Sequence, residues 1–489
     1  MPVETESKTA NRKVCAKCNA DVSNQRRFKD VAGHYYCVNC TTAGAKPEAV
    51  PHPDSAAIRS LGLNPRVICP HCWHTFAPQD TMWVASHSDL IGDPILGPEK
   101  PRRFLPSRFT PEGHAIDARG VTCQQLACPR CHLGIPRSAI EAEPLFLSIV
   151  GGPKTGKSYF LSAMSWELRR QLPSFFALAF SDADTVSNQH LNDDEALLFL
   201  PGDENKLVAI AKTEETGDLY DQANLGGHVV SLPRPLLFNL RPTRDHPHAS
   251  AGEKVSRVIC LYDNAGESFQ PGKDTMASPV TQHLAKSRAL MFLFDPTQDP
   301  RFREKCRKIS QDPQLFGGRG TQRQETLLLE AASRVRLYAN QPPNKKHDRP
   351  LLVLVPKSDV WGQLLDEDVT SEPILPKAFE NRLAVVDVKR IERVSQKLRQ
   401  LLLQEIPELV AAAEDFCQYV IYIPVSALGC SPQETALPNG DKGLFVRPAE
   451  ISPHWATVPV LYMFAKWTTG LVAGNSSGVP TFKAAATAR

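Results

Sequence analysis

Eleven residues, VGGPKTGKSYF from Val150 to Phe160, concentrate groups able to hold phosphate. Gly151 and Gly156 free the backbone to curl, so that the successive N–H groups of the loop, those of Gly152, Lys154 and Thr155 beside Pro153, can converge on an anion. Lys157 supplies a cation for the β- and γ-phosphates of a nucleotide, and Ser158 a hydroxyl for Mg²⁺. The loop needs a strand before it and a helix after it to aim those groups. LFLSIV (Leu145 to Val150) is a short apolar run with β-branched residues. In KSYFLSAMSWELRRQL, Phe160, Leu161, Met164 and Leu168 recur at helical spacing. Strand, phosphate loop and helix are therefore all predicted.

The cysteines form a second chemistry. Nine of thirteen precede residue 132, and eight of those make four Cys-x-x-Cys pairs. Cys15 and Cys18 are followed, after eighteen residues, by Cys37 and Cys40; Cys69 and Cys72 are followed, after 55 residues, by Cys128 and Cys131. Each pair turns two thiolates to one side of a tight loop, and two loops close a tetrahedral site, so two structural Zn²⁺ sites are predicted. Four-cysteine sites leave no open position for catalysis. Disulfides or unrelated thiols compete with this reading, but no apolar signal segment precedes the cysteines. Cys123, His71, His74 and His132 are neighbouring substitute ligands, with a bystander role favoured for each. Cys260, Cys306, Cys417 and Cys430 read as ordinary thiols.

The elements downstream sort the nucleotide chemistry. VSRVICLYDNAGESF (Val255 to Phe269) is an apolar strand ending in Asp263 and Gly266, an acid for the magnesium shell and a glycine whose N–H can meet the γ-phosphate. PLLFNLRP (Pro235 to Pro242) is another strand, and the link RDHPHASAGEK has too much Pro and Gly for a crossover helix. The two strands are expected to pair antiparallel. ALMFLFDP, LLVLVPKSD and YVIYIPVSALG are three further strands, separated by the amphipathic runs ETLLLEAASRVRLYAN and VDVKRIERVSQKLRQLLLQ.

The order of these motifs from Leu145 to about Ala473 resembles that of phosphate-loop GTPases of the Ras and translation-factor class. The fold class this implies is α/β: a Ras-like P-loop NTPase domain, with a mostly parallel sheet and one antiparallel strand, preceded by two small zinc-binding modules. PKSD matches the last three positions of the guanine motif Asn/Thr-Lys-x-Asp, and by that resemblance Asp359 reads guanine while Lys357 stacks on the base. SAL resembles the Ser-Ala motif, giving Ser426 and Ala427 roles at guanine O6. Paired zinc ribbons with DNAGE also resemble the bacterial double-GTPase group, associated with signalling or conflict systems.

Three departures from the pattern stand out. Pro356 replaces the Asn or Thr whose side chain ties the base loop to the phosphate loop, which keeps an ATPase reading open. Glu267 stands where Ras-like enzymes carry the water-orienting glutamine; its carboxylate either positions the attacking water or takes its proton, or it is a solvated switch-loop acid. The switch threonine has only the candidates Thr213 and Thr216, within an insert from Pro173 to Pro233. RFREKCRK and GGRGTQRQ read as a solvated basic face, with Arg319 as an internal arginine-finger alternative.

At 489 residues the chain fits two to four domains, and a hydrophobic content of 42% supports a real core. The expected division is residues 1–43 and 67–143 for the zinc modules, 44–66 for a linker, 144–474 for the GTPase-like domain and 475–489 for a disordered tail. A net charge of +3 excludes a global basic field, so nucleic-acid binding is weakly supported. VPVLYMFAKWTTGLVAG is expected to be a buried terminal helix and not a membrane anchor, and a cytoplasmic protein without membrane contact is expected. The expected partners are GTP and GDP and an unidentified protein, a second GTPase among the options; a non-hydrolysing sensor or scaffold is the alternative function.

Overall fold

The computed structural model describes residues 14–19, 22, 27–30, 32–37, 40, 46–48, 58–59, 61–211, 220–251, 255–263, 282–316, 323–342, 344–376, 383–436 and 442–475. The chain divides into two compact units, Met1–Pro65 and Arg66–Arg489. In the first, short strands Arg27–Lys29, Tyr35–Cys37 and Lys46–Glu48 pair antiparallel around Arg27–Lys29.

The second unit is a mixed α/β body. Its central elements in chain order are β1 (Glu143–Gly151), α1 (Lys157–Phe176), β2 (Leu178–Asp182), α2 (Gln189–Phe199), β3 (Leu236–Pro242) and β4 (Arg257–Asp263). There follow β5 (Ala289–Leu293), α3 (Gln324–Tyr338), β6 (Leu351–Val355), α4 (Val388–Glu405), α5 (Pro407–Phe416), β7 (Val420–Pro424) and α6 (Val458–Trp467). The seven strands form one sheet in the order β2-β3-β4-β1-β5-β6-β7. From β4 to β7 every pairing is parallel, and β3 runs against both β2 and β4.

The central strands β1, β5 and β6 are buried along nearly their whole length, as strands covered on both faces are. On α1, Phe160, Leu161, Met164, Leu168 and Leu172 fall on one buried face. This helix passes through Pro173, where the sequence predicts its end, and closes one turn later at Ala177, whose left-handed backbone donates to Leu172 O. The insert after it contributes the edge strand β2, unforeseen in the sequence. Arg169 of α1 ties the insert down through Asp182 at 2.8 Å and Glu195 at 3.1 Å. The apolar segment near the end forms α6, almost wholly buried, and no described helix is long and apolar enough to cross a membrane.

Parallel strands emerge from the same edge of a sheet, and the loops after β1, β4, β5, β6 and β7 therefore gather there. Ligand sites in open α/β sheets form at such an edge.

Candidate functional site

The phosphate loop leaves β1 at Gly151, which sits against β5. A side chain there would place its Cβ 3.1 Å from Leu293 Cβ and 3.2 Å from Leu293 O, so only glycine fits without a shift. The loop closes at Gly156 with φ +88°, a left-handed conformation that disfavours other residues. Between them Thr155 Oγ1 donates to Gly152 O at 2.8 Å. Lys157 opens α1, so the helix N-terminus adds its partial positive charge beside the ammonium. Lys157 Nζ lies 2.8 Å from Asp263 Oδ1 at the end of β4, an ion pair with both side chains largely buried.

A cavity of about 380 Å³ runs from this loop to the turns after β6 and β7. Gly152, Pro153, Lys154, Thr155, Gly156, Lys157, Ser158 and Asp263 line one end, and Lys357, Asp359, Ser426 and Ala427 the other. The backbone of Ser358 donates to Val425 O at 3.1 Å, joining the two distal turns. Ser426 Oγ donates to Asp359 Oδ1 at 2.5 Å and accepts from Gly429 N at 2.8 Å. Surrounding protein pushes the Asp359 carboxyl up to about 6, chiefly by desolvation. The residue is nonetheless open to the cleft, where water screens part of that rise.

Gly151 does not line the cavity but packs against Leu293, while Gly266 and Glu267 fall outside the described residues, as do Thr213, Thr216 and Arg319. The remaining candidate residues converge on one cleft. Sequence reasoning missed its roof. Ile210, Leu444 and Val446 line the cavity, and Val208 pairs with Val446 to bring two distant segments together. Tyr159, one residue beyond Ser158, accepts from Ile210 N at 3.0 Å and anchors that roof to α1. Long inserts carry no motif, so no local signal marks this role.

The cysteines gather as two sets of four, Cys15, Cys18, Cys37, Cys40 and Cys69, Cys72, Cys128, Cys131, with the sulfurs of each set within 4.8 Å of one another. Tetrahedral zinc with bonds of about 2.3 Å requires sulfurs about 3.8 Å apart. Cys69 and Cys131 are 3.7 Å apart, Cys72 and Cys128 3.7 Å, and Cys18 and Cys37 3.8 Å. Both sets thus fit a structural metal. The two turns of the second set share one geometry: Trp73 N donates to Cys69 O and His132 N to Cys128 O, and Trp73 and His132 both have positive φ. Backbone N–H groups of His71 and Arg130 point at Cys69 and Cys128 sulfurs, both at 3.4 Å, easing the thiolate charge.

None of the substitute ligands joins a cluster among the described residues. His71 instead faces the carbonyls of Pro233 and Gly134, at 3.3 and 3.0 Å. His132 Nδ1 contacts the Asp93 carboxylate at 2.8 Å, and Cys123 lies near Asp117.

The second cysteine cluster is packed onto the sheet. Trp73 Nε1 donates to Tyr262 Oη at 3.0 Å, and Tyr262 Oη donates to Pro70 O. Tyr262 is the residue before Asp263 on β4. The hairpin Tyr220–Leu225 and His228–Pro233 packs Ala223 and Leu232 into the module's apolar core beside Val67 and Phe76.

No family model matches the chain. A protein of Mycolicibacterium smegmatis described as "Putative ESX-1 scaffolding and assembly protein SaeC" is 22% identical over 191 residues, 39% of this chain and 43% of that protein. The chain thus spans less than half of that relative's length. Among solved structures, Sup35 complexed with GDP aligns at 13% identity and a TM-score of 0.20, over 58% of this chain and 38% of that one. The SRb-GTP/SRX complex of the signal recognition particle receptor from Chaetomium thermophilum aligns at 14% identity and a TM-score of 0.22, over 60% and 94%. Scores this low carry no argument, and the reading of the site rests on its own geometry.

Proposed function

We propose that the chain binds a guanine nucleotide with Mg²⁺ and hydrolyses GTP to GDP and phosphate, slowly without a partner, as a cytoplasmic nucleotide-dependent switch. The observation that carries this is one cleft with a phosphate loop at one end and the Asp359–Ser426 pair at the other. An ionised Asp359 accepts from two N–H donors on one edge of a base, the pattern of guanine N1 and its exocyclic amine. Lys357 lines the same end and offers its stem to the base face.

At the phosphate end, Lys157 and the loop amides stabilise charge that develops on the transferred group. Ser158 and Asp263 would hold Mg²⁺, which supplies further charge neutralisation when bound. The Lys157–Asp263 ion pair keeps two opposite charges satisfied in a partly buried cleft until ligand arrives. Glu267, or a partner's residue, is proposed to act on the attacking water. Both cysteine sets are proposed to bind Zn²⁺ structurally, with module boundaries as read from the sequence.

A nucleotide-dependent scaffold is the second reading, favoured by the packing of the second zinc module against Tyr262, next to Asp263. The mycobacterial relative is described as a putative scaffolding and assembly protein, which agrees with it, and a protein partner, a second GTPase included, belongs to that proposal. So does the resemblance to bacterial double-GTPase signalling or conflict systems.

The test is Mg²⁺-dependent phosphate release from GTP and from ATP, with Lys157→Ala as the blank. GTP-selective release lost in the variant is the expected result. Faster ATP turnover refutes the guanine assignment, and Mg²⁺-dependent binding without turnover favours the scaffold.

A further inference from the structure

The cleft has two ends contributed by separate loops, and a nucleotide of fixed length engages both only if they are held in register. A rigid link between them makes the second contact effectively intramolecular. Pro356 opens the base turn without a side-chain donor, and its carbonyl is occupied by Trp361 Nε1 at 2.7 Å. The polar connection runs elsewhere. Lys357, held at φ +60°, turns its ammonium onto Asp295 Oδ2 at 2.5 Å and Thr297 Oγ1 at 3.1 Å.

Asp295 follows β5 and is fully buried. Its Oδ1 accepts from Thr297 N and Thr297 Oγ1, at 3.0 and 2.7 Å, and its backbone is gripped on both sides by the Gln324 amide, at 2.9 and 2.8 Å. The second carboxylate oxygen also accepts from Gln298 Nε2 at 3.1 Å, and that same amide reaches Pro153 O in the phosphate loop at 3.3 Å. Gln298 is 6% exposed. In a trans peptide the carbonyl of Pro153 and the N–H of Lys154 point in opposite directions, so the grip on one fixes the aim of the other.

We propose that Asp295 and Gln298 are positioning residues that lock the base-reading turn to the phosphate loop, and that Gln298 thereby sets discrimination between nucleobases. Buried, charge-assisted hydrogen bonds make this link stiffer than a solvated one. The inference rests on the nucleotide reading above, and deepens it by assigning base selectivity to a residue that never touches the base.

The test compares GDP and ADP affinities in wild type, Gln298→Leu and Asp295→Asn, alongside the melting temperature of each nucleotide-free protein. Gln298→Leu keeps the bulk and removes both donated bonds; Asp295→Asn keeps the shape and breaks the charge pairing. Each is expected to weaken GDP by about tenfold and ADP by under about threefold, because only the register of the base end is lost. GDP and ADP weakened equally, or neither changed, overturns the proposal. A drop in melting temperature with the GDP-to-ADP ratio intact also overturns it, since that is the signature of a merely structural role. Wild type that does not prefer GDP refutes the guanine reading itself and this inference with it, a result visible before any variant is examined.

Discussion

Replacing Tyr262 by Phe deletes a single buried oxygen that serves two partners. Tyr262 is 1% exposed and Trp73 8%. The hydroxyl accepts from Trp73 Nε1 and donates to Pro70 O, on the zinc turn that begins at Cys69. Two hydrogen bonds are lost at about 1 kcal/mol each, and the stranded indole N–H adds about 1 kcal/mol or more. The total is about 3 kcal/mol. A unit of roughly 420 residues unfolds with an entropy near 0.9 kcal/mol/K, so the melting temperature should fall by about 3 °C. Trp73→Phe removes the donor from the other side, and the double variant should show a coupling of about 1–2 kcal/mol. Calorimetry reads the stability, and a colorimetric chelator reads zinc loss, which should quicken in Tyr262→Phe. A shift under 1 °C with additive single effects would refute the claim that this hydroxyl fastens the metal module to β4.

Asp359→Asn exchanges an acceptor for a donor at the base end; GDP affinity should fall between about tenfold and a hundredfold while xanthosine diphosphate improves, as fluorescence titration would show. Cys128→Ser should release one of two zinc equivalents and lower the melting temperature of the Arg66–Arg489 unit, because metal binding and folding are one equilibrium there; retention of both equivalents by metal analysis would contradict the four-sulfur site. Asp194 on α2 is buried, and desolvation pushes its carboxyl up to about 6. Its folded value lies above its unfolded one, so its cost is absent below about pH 4, grows through that window and is complete above about pH 6. Asp194→Asn should therefore raise the melting temperature by about 3 °C at pH 7.5 and by under about 1 °C at pH 4.

The motif-bearing half of the site was legible because each part is local. A phosphate loop needs glycines and a lysine within eight residues, and a metal turn needs two cysteines three apart. The antiparallel pairing of β3 with β4 was equally legible, since a Pro- and Gly-rich link cannot cross over. The edge strand β2 was not, because LAFSD follows a helix through Pro173 and gains its partner only from β3, more than fifty residues away. The cavity roof was hidden for the same reason: Val208 and Val446 carry no sequence signal and are joined by the fold alone.

Sequence by itself determined which groups are available: the phosphate loop, Asp263, Asp359, Ser426 and two quartets of thiols. It did so because covalent spacing limits what neighbours along the chain can do. Tertiary structure decided which distant groups act together. Only the parallel emergence of β1, β5, β6 and β7 at one sheet edge brings Gln298 between Pro153 and Asp295, and Asp295 onto Lys357. Likewise only the packing of the Cys69–Cys72 turn on β4 sets Trp73 against the residue before Asp263. Hydrogen bonds hold over about 3 Å, and folding brings Lys357 to Asp295, Gln298 to Pro153 and Trp73 to Tyr262 across gaps of 62, 145 and 189 residues.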